Sequence, residues 1–112
     1  MALYLVIGEY VEPGPLLPPQ QVVQLVENVV IPSFESMAKL QDQKKILAGG
    51  VYAGTRTGAF ILDAASNDEV NRLLQSLPFW GVLRWTVTPM QGFRDRAVDE
   101  AKSIEPLKAM MK

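Results

Sequence analysis

The sequence of 112 residues contains no cysteine and no histidine. Without cysteine there can be no disulfide bond, thiolate metal site or thiol nucleophile. Without histidine there can be no Ser-His-Asp triad, and the chain lacks both the commonest zinc ligand and the side chain that ordinarily titrates near neutral pH. Carboxylates are therefore the first candidates for any proton transfer.

The chain also lacks an excess of charge of either sign. It has 11 basic and 12 acidic residues and a formal net charge of −1, so its overall field does not favour nucleic acid or an anionic membrane as a partner. The first apolar run has no basic region before it and is broken by Gly8-Glu9. We therefore expect no signal peptide and no membrane span, and a cytoplasmic protein of one domain.

Residues 57–90 have the pattern of a β–α–β unit. The apolar run 58–62 predicts a strand, and Ser66-Asn67-Asp68-Glu69 has the spacing of a capping box, in which Glu69 reaches back to the Ser66 N–H. Pro78 should end the helix, and residues 82–88 are rich in β-branched and aromatic side chains. The apolar stripe of the helix recurs at helical period and consists of Val70, Leu73, Leu74 and Leu77.

The preceding residues have a related pattern. Residues 2–11 predict a strand with two largely apolar faces, and a proline-rich connector leads to a helix from about Pro19 to Asp42. Pro32 should kink or break that helix, because proline lacks the N–H and clashes with the preceding turn. A strand over 46–52 carries Gly49-Gly50, which suggests a bulge or a close backbone approach.

The predicted order is thus β-α-β-β-α-β, the ferredoxin-like arrangement of a four-stranded antiparallel sheet with two helices on one face. We assign this domain to residues 1–90. Residues 91–112 form a charged C-terminal tail, which we expect to be partly helical, with a break at Glu105-Pro106, and to pack on a neighbouring subunit; a partly ordered terminus is the alternative. The two helices leave the second face of the sheet uncovered, and packing against another copy of the chain is the simplest way to bury it.

Few polar residues lie within the predicted strands. Glu9 follows three aliphatic residues on one strand face and could act as a general acid or base, or be wetted at the mouth of the sheet. Arg84 could bind a ligand carboxylate or mark the solvent side of an edge strand. Glu35 is a third candidate on the first helix. Aromatic residues could wall an apolar pocket, although core packing explains each of them equally: Tyr4, Tyr10, Tyr52, Phe79, Trp80 and Trp85.

Residues 3–90 resemble the muconolactone δ-isomerase family. The resemblance is carried by Leu77-Pro78-Phe79-Trp80 after the Ser66-capped helix, by a strand ending Val87-Thr88-Pro89-Met90, and by Ala53-Gly54 before a short strand to Asp63. It implies a dimeric α+β barrel of ferredoxin-like subunits without metal or organic cofactor. Family members move a proton on small unsaturated lactone acids, or dehalogenate them.

The polar positions of this family differ here. A gapless alignment places its strand residues at Arg56 and Gly58 and its helix acid near Ser33, half a turn from Glu35. Arginine stays protonated and is a poor proton shuttle. We therefore expect Glu9 or Glu35 to be the base, Arg56 or Arg84 to hold a substrate carboxylate, and Tyr52 and Trp80 to contact the substrate.

Two functions are compatible with these residues. The first is a cofactor-free isomerase or lyase that moves a proton on a small hydrophobic lactone or unsaturated acid, in a homodimer or larger homo-oligomer. The alternative is a non-catalytic small-molecule-binding or scaffold protein of the same fold. They are distinguished by whether a carboxylate and an arginine point into one enclosed cavity.

Overall fold

The computed structural model describes residues 2–10 and 17–111. Four strands form one antiparallel sheet in the order β2-β3-β1-β4. They are β1 (Ala2–Tyr10), β2 (Ile46–Val51), β3 (Thr57–Ala64) and β4 (Leu83–Met90). The predicted ferredoxin-like order and the α+β fold class are confirmed. Strand boundaries differ from the predictions by one or two residues, and Val11 and the prolines of residues 13–15 lie outside the described part.

A long helical stretch precedes β2 and consists of α1 (Pro19–Leu25), a π-helical segment (Val26–Val30) and α2 (Ile31–Asp42). Of the two outcomes predicted for Pro32, a kink or a break, the break does not occur, because helical structure is continuous through the proline, and a wider π-helical turn lies just before it. A π-helical turn shifts the hydrogen-bond ladder by one residue, which suits a position where proline offers no N–H. The predicted end at Asp42 is confirmed.

The first residues of α3 (Asn67–Gln75) form the predicted cap with one difference. Ser66 Oγ accepts from the Glu69 N–H at 3.2 Å, but Glu69 Oε2 accepts from the Ala65 N–H at 3.0 Å, one residue before the expected donor. Glu69 Oε1 also accepts from Lys45 Nζ at 2.9 Å. This hydrogen bond lowers the pKa of Glu69, with help from the Ala65 N–H, and raises the pKa of Lys45.

The first of the two adjacent glycines of β2 is required by the neighbouring strand. The β2–β3 register shifts between Ile46 and Ala48, before the glycine pair, and both glycines are paired regularly with β3. Gly49 has φ +148°, and a β-carbon there would lie 2.5 Å from both the Ala59 carbonyl oxygen and Phe60 Cβ. Only glycine fits so close to the neighbouring strand, so the predicted close backbone approach is confirmed.

The helices pack on the sheet face that carries Tyr4, Val6 and Gly8, a choice that the sequence left open. Tyr4 is buried there and its hydroxyl donates to Asn67 Oδ1 at the start of α3. The opposite face, named here the open face, carries Leu3, Leu5, Ile7 and their neighbours in partly exposed positions. The core under the helices consists of Tyr4, Val6, Ile46, Phe60, Leu62, Ala64, Val70, Leu74, Leu77 and Phe79.

Two further helices follow β4, namely α4 (Phe93–Ser103) and α5 (Glu105–Met110), with the interruption at Ile104, next to the predicted Glu105-Pro106 break. All residues from 91 to 111 are exposed, and the molecule extends 73 Å along its longest axis. The tail therefore projects from the sheet domain. None of the helices within residues 2–10 and 17–111 is long and apolar enough to cross a membrane.

Candidate active site

A cavity of about 830 Å³ lies between the sheet and the long helical stretch. All four strands contribute to its floor, while α1, the π-helical segment and α2 form its roof with mainly aliphatic side chains. The π-helical turn places Val26 and Val30 at this roof, in keeping with the frequent occurrence of such turns at functional sites. The cavity falls in the size range of pockets that bury small organic ligands.

Three successive residue pairs of β1 and β3 run along the floor. At the outer end the Tyr10 N–H donates to the Arg56 carbonyl at 3.3 Å; next, Gly8 lies opposite Gly58, and then Val6 lies opposite Phe60. Because side chains on one sheet face recur every second residue, these pairs follow one another at steps of about 7 Å. From the end at Tyr10 and Arg56 inward, the floor is therefore first polar, then formed by backbone alone at the two glycines, and then apolar at Phe60.

The Gly8–Gly58 pair leaves space that Trp85 partly uses. A β-carbon at Gly8 would lie 2.8 Å from Trp85 Cζ3 and 3.1 Å from Trp85 Cε3, whereas a β-carbon at Gly58 would come no closer than 3.4 Å to the Gly50 carbonyl oxygen. Gly8 thus allows the indole of β4 to lie over the sheet, and Gly58 leaves the adjacent floor empty. Both positions line the cavity.

An aromatic wall closes one side of the cavity. The Phe34 and Phe79 rings meet edge to face with centroids 5.6 Å apart, and Phe79 meets Trp85 in the same manner at 6.1 Å. Two side chains position this wall through hydrogen bonds. Fully buried Ser33 accepts from the Phe79 N–H at 2.9 Å and donates to the Val29 carbonyl, and Trp85 Nε1 donates to the Trp80 carbonyl at 3.0 Å.

The outer end of the cavity carries a positive charge. The Arg56 guanidinium carbon lies 5.4 Å from the centre of the Tyr10 ring, within the range of a cation–π contact, and both residues line the cavity. Gln41 and Thr55 are the further polar side chains of the lining. No aspartate or glutamate is among the lining residues in the described part of the chain. The arrangement can bind an acid group at one end and an apolar body at the other.

The predicted site residues do not all meet in this cavity. Arg56 lines it, but Glu9 and Arg84 lie opposite each other in β1 and β4 at exposed positions on the open face. Arg84 thus occupies the exposed edge-strand position that the sequence offered as its second interpretation. Glu35 is exposed on α2, outside the lining. The roles suggested for these residues stay predictions.

The aromatic candidates divide in a similar way. Tyr10, Phe79 and Trp85 line the cavity, and Tyr4 belongs to the core. Tyr52 and Trp80 are 48% and 40% exposed and lie outside the lining.

The sequence did not identify Gly8 as part of the cavity floor, or Ser33 as a buried hydrogen-bonding link between two segments. The sequence does place Gly8 on one strand face with Tyr4, Val6 and Tyr10. Only its pairing with Gly58 shows that the two glycines together form part of the cavity floor. Ser33 stands near the position where the resemblance would place an acid, and it is a buried structural link between α2 and the Leu77-Pro78-Phe79-Trp80 segment. Its helical neighbours gave no hint of a partner 46 residues away.

Comparison with known proteins agrees with this geometry. The sequence model of the muconolactone delta-isomerase family matches residues 10–96. A crystal structure of muconolactone isomerase superposes with a TM-score of 0.64 at 19% identity, covering 80% of this chain and 88% of that one. A 5-chloro-2-hydroxyhydroquinone dehydrochlorinase from Burkholderia phenoliruptrix, in complex with 2,5-dihydroxybenzoquinone, superposes with a TM-score of 0.53 at 22% identity, covering 83% and 97%.

No curated protein matches the chain. The two structural similarities are below 25% identity and show a shared fold. The family match covers most of the chain, from the last residue of β1 to the first turn of α4, and includes the cavity floor at Arg56 and Gly58. The chain therefore belongs to the muconolactone delta-isomerase family.

Proposed function

We propose that this protein is a cofactor-free isomerase or lyase that moves a proton on a small hydrophobic lactone or unsaturated acid. The observation that carries the proposal is the apolar cavity with Arg56 and Tyr10 at one end. Membership of the muconolactone delta-isomerase family supports the same reaction class. Such a substrate combines a negative group, which needs a cation, with an apolar body, which needs burial.

In this proposal Arg56 binds the acid group of the substrate, because a guanidinium matches a carboxylate with two parallel hydrogen bonds. The Tyr10 hydroxyl donates to the same group or to the substrate carbonyl. The reaction breaks a C–H bond on the carbon beside the double bond, moves the double bond by one position through a dienolate whose charge the carbonyl stabilises, and forms a C–H bond at the other end of this three-carbon unit. A proton is removed at one carbon and returned at another, so no oxidant or reductant is needed.

The group that carries the proton is the second part of the proposal. Glu9 and Glu35 are the carboxylates suggested by the sequence, and an assembly of several copies would have to bring either of them against the ligand. Tyr10 is the titratable side chain that already lines the cavity beside Arg56. Tyrosine can serve as a general acid or base when the geometry is right.

The experiment follows deuterium incorporation from D₂O into muconolactone by NMR. The wild type should catalyse exchange, and one of Glu9→Gln, Glu35→Gln or Tyr10→Phe should lower the rate by about a hundredfold or more. Arg56→Met should weaken binding of the acid. Asp68→Asn, at an exposed position of α3 outside the cavity lining, is the matched control and should leave exchange unchanged. Exchange that survives in all three variants would contradict the assignment of the proton carrier.

A non-catalytic binding protein is the second candidate function. It is favoured by one observation, the lack of an aspartate or glutamate among the lining residues that the structure describes. Tight binding of a small acid in the cavity, without any exchange of its protons, would establish this alternative and end the first proposal.

We also propose that the protein works as a homodimer or larger homo-oligomer with a small-molecule substrate. The helices cover the face of Tyr4 and Val6, while Leu5 and Ile7 stay partly exposed on the open face. A second copy would bury such a surface on both subunits at once. In the same proposal the tail of residues 91–112 packs on a neighbouring subunit, which would cover its exposed apolar side chains Phe93, Val98, Ile104, Leu107, Met110 and Met111.

A further inference from the structure

The length of the cavity floor limits the size of the ligand more closely than family membership does. The polar pair, the Gly8–Gly58 pair and the pair containing Phe60 succeed one another along β1 and β3. The backbone positions of Gly58 and Phe60 therefore lie about 7 Å and about 14 Å along the strand from that of Arg56. A single-ring acid bound at Arg56 reaches the glycines and leaves the inner half of the cavity empty.

The shape of the cavity floor indicates which kind of chemical group would fill the inner half of the cavity. Trp85 occupies the space over Gly8, so the free part of the floor lies over Gly58, beside the indole and between the sheet and the roof helices, and is named here the slot. Phe34 and Phe79 border the inner end. A flat ring system fits a slot of this kind, since ring faces can lie on the peptide planes while ring edges meet the aromatic wall.

We infer that the ligand is an acid with two fused or linked rings, whose carboxylate binds at Arg56 and Tyr10 and whose rings lie over Gly58, beside the Trp85 indole. This inference rests on the proposed function in one respect, that the cavity is the ligand site. It goes further in naming a substrate about twice as long as a one-ring lactone. The volume of about 830 Å³ accommodates such a molecule, because pockets of this size bury ligands larger than one ring.

The test is isothermal titration calorimetry of the full chain with 2-naphthoate, benzoate and 2-naphthamide. 2-Naphthoate should bind at least about tenfold more tightly than benzoate, because its second ring buries further apolar surface in the inner half. It should also bind about tenfold more tightly than 2-naphthamide, and Arg56→Met should abolish this preference for the acid.

The second part of the test measures ligand affinity in the variant Gly58→Val, which narrows the cavity. A β-carbon there comes no closer than 3.4 Å to another atom, and the two methyl groups of valine would reduce the free space over the floor. Affinity for 2-naphthoate should fall about tenfold or more, and affinity for benzoate by less. Gly81→Ala is the matched control, because Gly81 is outside the lining and has no atom within 4 Å of a β-carbon.

The outcomes separate the two proposals. Equal affinity for the one-ring and two-ring acids, or unchanged 2-naphthoate affinity in Gly58→Val while the circular dichroism spectrum shows a folded protein, overturns the inference. The lack of binding by either acid, which would follow if a second copy's tail filled the cavity, overturns it too. Failure of muconolactone to exchange protons would instead contradict the proposed reaction and leave the binding order intact.

Discussion

Gly8 and Gly58 are direct partners across the antiparallel strands β1 and β3, and both face the cavity. Glycine is usually unfavourable in the middle of a strand, because it loses more conformational freedom on folding and offers no side chain to pack. Here the missing side chain of Gly8 makes room for the Trp85 indole, and that of Gly58 leaves the adjacent floor of the cavity empty. The pair lowers strand stability and provides volume at the site.

The two glycines should differ in their tolerance of a methyl group. Gly8→Ala places a β-carbon 2.8 Å from Trp85 Cζ3, so the indole must move, and we expect a loss of about 1–3 kcal/mol in the free energy of unfolding. Gly58→Ala meets only ordinary contacts and should change stability by less than about 1 kcal/mol. Urea denaturation followed by circular dichroism measures both values. Equal stability of the two variants would show that Trp85 is not fixed over Gly8.

Ser33 should matter for stability although it bears no charge. Ser33→Ala leaves the Phe79 N–H without its acceptor and removes a donor to the Val29 carbonyl, in a place with no exposure to water. We expect a loss of about 1–3 kcal/mol in the free energy of unfolding. Ser103→Ala removes a hydrogen bond at an exposed position of the tail and is the control. A Ser33→Ala protein as stable as this control would contradict the structural link.

The Lys45–Glu69 pair should make stability depend on pH. The pKa of Glu69 is lowered by its hydrogen bond from Lys45, so the contribution of Glu69 is complete above the ordinary value of 4.5 and is lost as pH falls through the lower pKa of the folded state. The pKa of Lys45 is raised, so its contribution is complete below 10.5 and is lost as pH rises through the higher folded-state value.

Urea denaturation of wild type and Glu69→Gln between pH 2 and 7 tests the acid side of this dependence. The wild type should be the more stable protein at pH 7, and the difference should shrink as the solution becomes more acidic than pH 4.5. Glu100→Gln removes the exposed pair with Arg96 in the tail and should have little effect at any pH. A difference between wild type and Glu69→Gln that persists unchanged to pH 2 would refute the assignment.

The proposed assembly predicts the effect of a charge on the open face. Leu5→Arg should leave the sheet domain folded, because Leu5 is partly exposed, and should convert an oligomer into a smaller species, because a charge would be buried at the contact. Mass measurement in solution by light scattering detects the change. Leu107→Asp tests the tail in the same way, and Lys108→Asp, at an exposed neighbouring position, is its control. A wild type that is already monomeric would end the proposal.

Local signals in the sequence were sufficient for most of the fold. The Ser66 cap, the stripe that ends at Leu77 and the stop before Pro78 were all predicted, because each depends on residues within a few positions of one another. Gly49-Gly50 indicated a bulge or a close backbone approach for the same reason, and the close approach occurs at Gly49. At Pro32, where a kink or a break was expected, the helix continues and a wider turn precedes the proline.

The candidate site was predicted less completely. Arg56 lines the cavity, whereas Glu9 and Arg84 share the open face and Glu35 is exposed on α2. The periodicity of β1 shows that Glu9 and Tyr10 face opposite sides, but both sides are apolar enough to pack. The sequence therefore could not say which of the two residues belongs to the cavity.

The sequence by itself determined the order of strands and helices, the helix cap and the lack of thiol and imidazole chemistry, since these follow from composition and from neighbours along the chain. Only the tertiary structure decided which face of β1 lies under the helices, that Gly8 meets Gly58, and that Ser33 holds Phe79. Each of these is a contact between residues far apart in the chain, and its geometry is fixed by strand register and packing rather than by local preference.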